Sequence, residues 1–131
     1  MNVVFDTNIL ISSTLWENSE AQKLLFKLLE NNVQIYCSVK ILEEYKTVLK
    51  RDFKYENDEI NEFLDQVLYF VKLIATKDKL NVVKQDPNDD HVIECAIESE
   101  SKFIITYDKD LLSLKEFRDI KIIKPSEFKF L

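Results

Sequence analysis

Acidic side chains after two apolar segments are the first candidates for chemistry in this chain of 131 residues. Asp6 directly follows the apolar residues 3–5, and Asp108 comes shortly after the apolar residues 103–105. If both segments are strands of a parallel sheet, both carboxylates lie at the edge where ligands bind in such sheets. Aspartate is also common in turns and at helix N-termini, so either residue alone indicates a turn more strongly than a site.

A third carboxylate, Glu44, falls on the apolar face of a predicted helix. It lies three residues after Ile41 and four before Val48, which both belong to the apolar stripe. A carboxylate on a buried face is costly unless it is paired or bound to a metal. Because a long glutamate side chain can also extend to the edge of that face, the pattern supports a functional and a solvated Glu44 equally.

The turn at residues 86–90 supplies the remaining acid. Asp89 lies three residues before Val92 and four before Ile93, which places it on the inward face of the helix that follows. Asp90 takes a more lateral position, where an acid commonly favours the helix N-terminus. We therefore expect Asp89 to point inward and Asp90 to serve as an outer acid or as a helix N-terminal residue.

Carboxylates brought together at one end of a sheet repel each other, and a hard divalent cation is the simplest reason to hold them there. All-oxygen ligand sets suit Mg²⁺ or Mn²⁺, with water completing the octahedron. The sequence therefore predicts a Mg²⁺ or Mn²⁺ site formed by Asp6, Glu44, Asp89 and Asp108.

The elements that must position these acids alternate between strands and helices. Strands are predicted at residues 3–5, 33–37, 103–105 and 120–123. Helices are predicted, in chain order, after Ser19, after Ser38, after the polar stretch that ends at Asn57 and after the turn at 86–90, and a last helix spans residues 111–117. The apolar stripe of the third helix, which follows Asn57, extends to Val71, and residues 72–86 fit either short strands or irregular structure. This alternation predicts an α/β protein with a mostly parallel sheet and helices on both faces. The length predicts a single domain spanning residues 1–131.

The composition excludes several classes of protein. With no glycine, the chain lacks the Gly-rich loops of P-loop and dinucleotide-binding proteins, and its single histidine excludes a zinc-peptidase helix. The net charge of −6 offers no broad basic surface for nucleic acid. No apolar stretch approaches the roughly 20 residues that span a bilayer, and no signal-peptide pattern is evident, so we expect a cytoplasmic protein without membrane association. Cys37 and Cys95 are expected to be buried, unreactive thiols.

Five segments of the sequence, taken in order, resemble the PIN domain family over nearly the whole chain. They are residues 3–10, 38–45, 86–90, 103–112 and 124–128. A single segment of this kind is weak, whereas the five together are specific. The chain looks most similar to the bacterial and archaeal branch of VapC-like ribonucleases, the toxins of toxin–antitoxin pairs.

The resemblance also implies which residues form the site. The family's acids fall on Asp6, Glu44, Asp89 (with Asp90 as the alternative) and Asp108. The small polar residues that orient carboxylates or water in the family match Thr7, Asn8 and Thr106.

The fold and function implied by the resemblance are specific. The family has a three-layer α/β/α fold and hydrolyses phosphodiester bonds of RNA with a water activated by Mg²⁺ or Mn²⁺. Its toxins pair with an antitoxin protein whose C-terminal segment blocks the acidic pocket, and many members are homodimers. We therefore expect an RNA substrate, an antitoxin partner and a homodimer.

One position departs from the family, which usually has glycine where this chain has Tyr107. A side chain there removes a freely positive φ and either crowds the substrate or stacks on a base. Lys109 and Lys84 are candidates for contacts with RNA phosphates, although a surface lysine is most often simply solvated. His91 could bind a metal or act as a base, but a solvent-facing position is favoured. Trp16, in a polar loop after the first strand, could stack on RNA or seal the core, and sealing the core is favoured.

Two other functions fit parts of the pattern. A catalytically weak PIN-like regulator that binds RNA or protein is favoured by Tyr107 and by the negative net charge. A phosphatase or receiver-type domain with Asp6 as its nucleophile is disfavoured, because haloacid-type phosphatases place a second aspartate two residues later and this chain has Asn8 there. We therefore expect a ribonuclease, with the regulator as the alternative.

Overall fold

The computed structural model describes residues 1–76 and 90–129, without the side chain of Asp90. The elements within these residues are, in chain order, β1 (Asn2–Phe5), α1 (Thr7–Leu15), α2 (Glu20–Glu30), β2 (Gln34–Ser38), α3 (Val39–Arg51), α4 (Asn57–Phe70), β3 (Val71–Ile74), α5 (Asp90–Glu98), β4 (Phe103–Ile105), α6 (Lys109–Leu114), β5 (Glu116–Phe117), β6 (Ile120–Ile123) and a 3-10 helix (Pro125–Glu127). In the described ranges, every helix is too short or too polar to cross a membrane.

The strands form one sheet in the order β3-β2-β1-β4-β6-β5, and every neighbouring pair is parallel except β5 and β6. Val4 of the inner strand β1 pairs with Tyr36 of β2 and with Ile104 of β4. Val3, Val4 and Phe5 are all fully buried, although successive side chains of a strand point to opposite faces of the sheet. Both faces are therefore covered, which confirms the predicted α/β fold with a mostly parallel sheet between helices.

The carboxyl ends of β1 and β4 lie side by side where the chain changes its direction across the sheet. From β1 the chain moves outward through β2 to β3, and it then returns to place β4 on the other side of β1. The backbone amide of Asp6 donates to the carbonyl of Ile105 at 3.1 Å, which joins the two strand ends. Open parallel sheets bind ligands at such a switch point.

The prediction of a polar loop after β1 is wrong, because Thr7–Leu15 form helix α1. Ile9, Leu10 and Ile11 are buried in succession, and α1 packs against α2, α3 and α4. A helix covered on several sides lacks the alternation of apolar and polar positions by which a surface helix is predicted. Its start still has a recognisable cap, because the Asp6 carboxylate accepts from the backbone amide of Thr7 at 2.8 Å.

Two predicted helix starts are confirmed by their capping hydrogen bonds. The Ser19 hydroxyl accepts from the backbone amide of Gln22 at 3.1 Å at the start of α2. The Ser38 hydroxyl accepts from the backbone amide of Ile41 at 3.2 Å at the start of α3. Both bonds satisfy amides of the first turn that have no partner inside the helix.

The third predicted helix differs from α4 at both ends. Its N-cap is Glu56, whose backbone amide donates to the carboxylate of Glu59 at 3.0 Å, so the helix begins slightly earlier than its apolar stripe suggests. Val71, predicted as the last member of that stripe, instead begins strand β3. Residues 72–86 were compatible with short strands or with irregular structure, and residues 72–74 belong to this strand.

The last predicted helix is too long. Helix α6 ends at Leu114, because Lys115 has a left-handed φ of 63° and reverses the backbone. Glu116–Phe117 then pair antiparallel with β6 as strand β5. The other late elements are confirmed, since the helix predicted after the turn at 86–90 is α5 and the predicted strands at 103–105 and 120–123 are β4 and β6.

The two cysteines confirm their predicted role as buried thiols. Cys37 of β2 and Cys95 of α5 are fully buried and form no disulfide. Burial raises the pKa of the Cys37 thiol to about 12 and also raises the pKa of Cys95. Both sulfurs therefore stay protonated and belong to the core.

Candidate active site

Asp6 is the most deeply buried carboxylate of the candidate site. It follows β1 directly, caps helix α1 and is 4% exposed. One carboxylate oxygen, Oδ1, accepts from the backbone amide of Thr7 at 2.8 Å. The other, Oδ2, accepts from the hydroxyl of Thr106 at 2.7 Å. Both oxygens are thereby fixed in orientation by residues that follow neighbouring strands.

The environment of Asp6 disfavours its charged form. Burial raises the pKa of Asp6 from its ordinary value of 3.8 to about 6. The hydrogen bonds from Thr106 and Thr7 lower the pKa, the negative charge of Glu44 raises it, and His91 lowers it, but burial outweighs the bonds that favour the anion. A carboxylate held this way is stabilised by a cation placed beside it.

Glu44 of α3 is joined to Asp6 through Thr7. The hydroxyl of Thr7 donates to Oε2 of Glu44 at 3.0 Å, while the backbone amide of the same threonine donates to Asp6. The ring nitrogen Nε2 of His91 lies 2.8 Å from Oε1 of Glu44. Burial raises the pKa of Glu44, but the hydrogen bond and charge of His91, the Thr7 hydroxyl and the charge of Lys40 together lower it below its ordinary value.

The prediction of a solvent-facing His91 is wrong, because this residue is 4% exposed and contacts Glu44. Helix α5 packs against β1, β2, β4 and α3, which leaves little of its surface open to solvent. A carboxylate only accepts, so Nε2 carries the hydrogen of this bond, while Nδ1 is buried and has no hydrogen-bond partner among the residues that the structure describes. The sequence contains one signal for the burial of His91. This residue lies four positions before Cys95, which places both on the same helix face, and Cys95 is buried.

Asp108 stands on the other side of Thr106. Its Oδ1 caps helix α6 by accepting from the backbone amides of Asp110 at 2.8 Å and Leu111 at 3.3 Å. Its own backbone amide donates to the Thr106 hydroxyl oxygen at 3.0 Å. The Thr106 side chain therefore connects the two aspartates that follow β1 and β4.

The two remaining polar positions next to the acids also have defined places. The side-chain oxygen of Asn8 accepts from the backbone amide of Tyr107 at 3.2 Å, so it ties the start of α1 to the end of β4. Tyr107 is 38% exposed and lies outside the set of residues with positive φ, so its backbone avoids the left-handed region. The tyrosine at the family's glycine position therefore costs no backbone strain, and its side chain occupies the rim of the site.

One cavity of about 440 Å³ brings these residues together. Its polar lining consists of Asp6, Thr7, Asn8, Ser12, Glu44 and Asp108. Its other lining residues are Ile11, Trp16, Val48 and Tyr107. The predicted role of Trp16 as a seal of the core is wrong, because this side chain is 51% exposed and faces the cavity from the end of α1.

Three of the predicted acids, Asp6, Glu44 and Asp108, thus line the same cavity. Asp89 and Lys84 lie outside the described residues, as does the side chain of Asp90. Among residues 1–76 and 90–129, no three acidic, histidine or cysteine side chains are close enough to form a complete ligand cluster by themselves. The described part of the site therefore brings three of the four predicted acids to one cavity without forming such a cluster.

Comparison with known proteins defines the class to which this fold and site belong. The sequence model of the PIN domain matches residues 2–110. The chain belongs to the PIN domain family.

Particular relatives extend the match over the rest of the chain. An uncharacterized protein of Methanocaldococcus jannaschii is 32% identical over 140 residues, which cover 98% of this chain and 89% of that protein. VapBC-1 from nontypeable Haemophilus influenzae has a similar fold, with a TM-score of 0.68 and 16% identity over 97% of this chain and 100% of that chain. VapBC2 from Rickettsia felis, bound to a DNA fragment from its promoter, gives a TM-score of 0.67 and 18% identity over 93% of this chain and 97% of that chain. At these identities the two structures support the fold alone.

Proposed function

We propose that this chain is a ribonuclease that depends on Mg²⁺ or Mn²⁺ and acts as the toxin of a toxin–antitoxin pair. The observation that carries the proposal is the buried Asp6 carboxylate, which shares one cavity with Glu44 and Asp108 at the switch point of the sheet. Membership of the PIN domain family supports a nuclease at this position. Residues 1–131 would form a single PIN domain.

The ligand set proposed for the cation contains only oxygen atoms. Asp6, Glu44 and Asp108 would contribute carboxylates from the described cavity, and Asp89, with Asp90 as the alternative, would complete the set. Burial of Asp6 fits this assignment, because an anion that is costly without a partner is stabilised by a bound cation. When bound, such an ion supplies an activated water and neutralises charge on the scissile phosphate.

The chain's own polar residues hold the carboxylates ready for this role. Thr106 fixes Asp6 through its hydroxyl and Asp108 through that residue's backbone amide. Thr7 fixes Asp6 and Glu44, so a shift of either carboxylate breaks a hydrogen bond. Asn8 holds the backbone at Tyr107. We assign these three residues to orientation of the acids, which is the role expected from the resemblance.

Contacts to the RNA backbone are proposed for a second cavity that adjoins the acidic one at Tyr107. This cavity, of about 660 Å³, is lined by Glu20, Tyr107, Lys109, Leu112, Ser113, Lys124 and Ser126. Lys109 and Lys124 would offset the negative charge of the carboxylates for an approaching phosphate. Local cations matter in a chain whose net charge is −6. Lys84 would add to them from outside the described residues.

Cleavage of single-stranded RNA tests the proposal. Wild-type protein with Mg²⁺ or Mn²⁺ is expected to cut the strand, and a chelator is expected to stop it. Asp6→Asn should lower the cleavage rate on the order of 10³-fold. The control is Asp65→Asn, which makes the same chemical change at an exposed position on α4 away from the cavity and should leave cutting intact. Equal activity of the Asp6→Asn and Asp65→Asn proteins would contradict the assignment of Asp6.

The partners are proposed from the family resemblance. An antitoxin would cover the acidic cavity with its C-terminal segment, and the chain would form a homodimer. Coexpression with the product of the adjacent gene, followed by mass measurement of the purified complex, tests both statements. A complex that forms and suppresses RNA cleavage supports the toxin role, whereas full activity in its presence contradicts it.

The alternative function is a PIN-like regulator that binds RNA or a protein without cutting. Tyr107 at the cavity rim and the negative net charge favour it. Calorimetry with Mn²⁺ separates the two functions, because a regulator needs no cation. Binding of Mn²⁺ that is lost in Asp6→Asn supports the nuclease, and the absence of binding in the wild type supports the regulator.

A further inference from the structure

The acidic cavity has an apolar wall that the proposed chemistry does not use. Ile11, Trp16 and Val48 line the same cavity of about 440 Å³ as the three carboxylates. Trp16 is the only tryptophan of the chain and is 51% exposed. Ring systems of this size usually contribute to stability by being buried, so an indole left half in solvent beside a polar site fits a role in binding.

The Trp16 ring is held in place by a neighbouring aromatic residue. Its centroid lies 6.0 Å from that of Phe53, at an interplanar angle of 62°. Phe53 in turn stacks on Tyr55, with centroids 6.3 Å apart and an angle of 18°. An indole supported in this way loses less freedom when a ligand stacks on it than a side chain that is free to rotate.

We propose that Trp16 is the stacking platform for one unpaired base of the RNA strand, next to the phosphate that lies at the carboxylates. The cavity volume falls in the range of about 300–1,000 Å³ that small-molecule sites occupy. Aromatic rings recognise the flat face of a base. A cation held by the carboxylates would bind the adjoining phosphate. A base inside a duplex is already stacked on both sides, so this subsite selects single-stranded RNA. The inference rests on the proposed ribonuclease function and specifies how its substrate is bound.

The single tryptophan makes this contact measurable without any cleavage. The fluorescence of Trp16, excited selectively, is measured while the full-length protein with Mn²⁺ is titrated with a phosphorothioate oligouridylate, whose linkages resist hydrolysis. The matched titrant is an abasic strand with the same number of phosphates. We expect saturable quenching by the oligouridylate and no quenching by the abasic strand. The affinity for the abasic strand, measured by calorimetry, should be about 5- to 100-fold lower than that for the oligouridylate. Equal affinity for the two strands, or for an RNA duplex, would overturn the proposal.

Substitutions of Trp16 provide the second experiment, in which calorimetry measures the affinities because these variants lack the tryptophan that reports binding. Trp16→Ala should lower the affinity for the oligouridylate about 5- to 100-fold and bring it to that for the abasic strand, while Trp16→Phe should recover most of it. Phe26→Ala is the matched control, since Phe26 is an equally exposed aromatic residue on α2 that lines a different cavity. Unchanged affinity in Trp16→Ala would refute the inference.

Failure of this inference and failure of the proposed function give different results. Base-dependent quenching of Trp16 in a protein that cuts no RNA supports the stacking site and contradicts the ribonuclease. Cleavage by the wild type at a rate and KM that Trp16→Ala leaves unchanged supports the ribonuclease and contradicts the stacking site. Single-stranded DNA serves as a further titrant, and tighter binding of DNA than of RNA would contradict the RNA assignment.

Discussion

Asp6 and Asp108 follow neighbouring strands and both cap helices, yet their surroundings differ. Asp6 is buried, and its two carboxylate oxygens accept hydrogen bonds from Thr7 and Thr106. Asp108 is partly exposed, and its Oδ1 accepts from two backbone amides of α6. A strand end therefore determines where a carboxylate lies, whereas burial determines how much its charge costs. We therefore expect the buried member of the pair to depend more on a bound cation.

The largest expected effect separates the two aspartates in catalysis. Asp6→Asn should lower the rate of RNA cleavage on the order of 10³-fold, because the central carboxylate loses its charge. Asp108→Asn should lower the rate roughly 10-fold, since part of this carboxylate already serves as a helix cap. Single-turnover rates of the two variants at saturating RNA measure the difference. Equal losses would show that burial does not distinguish their roles.

The pH dependence of stability gives the next largest effect. Burial raises the pKa of Asp6 from 3.8 to about 6. In cation-free protein, the contribution of Asp6 to the free energy of unfolding is therefore fully present below pH 3.8 and is lost as the pH rises through 6. The loss amounts to about 3 kcal/mol for a shift of this size. The side chain of Asp6→Asn cannot ionise. In urea unfolding with a chelating buffer, the free energy of unfolding of Asp6→Asn should therefore rise relative to that of the wild type as the pH increases between these values.

Addition of Mn²⁺ is the control for that experiment. The cation should stabilise the wild type at pH 7 and leave Asp6→Asn nearly unchanged. If the wild type and Asp6→Asn respond to pH in parallel, the buried carboxylate does not carry the charge cost that we assign to it.

The anchoring of Glu44 is expected to have a smaller effect on the same site. His91→Leu removes the 2.8 Å contact to Oε1 and should weaken Mn²⁺ binding about 10- to 100-fold, because residues that orient metal ligands have effects of this size. His91→Gln retains an N–H donor and should recover part of the affinity. Calorimetry measures both, with circular dichroism as the control for folding. Identical affinities of the Leu and Gln variants would argue against a positioning role.

The smallest effect concerns Asp108 as a helix cap. Asp108→Ala should lower the free energy of unfolding by about 1 kcal/mol, since two amides at the start of α6 lose their acceptor. Asp108→Asn retains a capping oxygen and should cost much less. Thermal unfolding of the two proteins measures the difference. Equal losses in the two variants would mean that charge, and not capping, is the structural role of Asp108, because both substitutions remove the charge.

The strands and most helices were predictable because their patterns are local. The apolar residues of β1 and β4, and the serines that cap α2 and α3, indicate their elements without knowledge of the rest of the chain. Helix α1 was not predictable in this way. Its buried residues Ile9, Leu10 and Ile11 follow one another, since other helices cover it on several sides.

The residues of the site likewise divide into those that local sequence predicts and those whose positions depend on packing. The positions of Asp6 and Asp108 follow from strand ends, and that of Glu44 from its place on an apolar helix face. The burial of His91 and the exposure of Trp16 depend on how α5 and α1 pack, which a single sequence does not encode locally. Their contacts, with Glu44 and with Phe53, join segments that are distant in sequence.

A crystal structure of the protein soaked with Mn²⁺ tests the shared-cation site most directly, because anomalous scattering locates the ion without reference to activity. We expect one strong peak in the cavity, within coordination distance of the Asp6 carboxylate and of at least one oxygen of Glu44 or Asp108. An ion bound elsewhere, with Asp6 still buried and uncoordinated at saturating Mn²⁺, would contradict the proposed site.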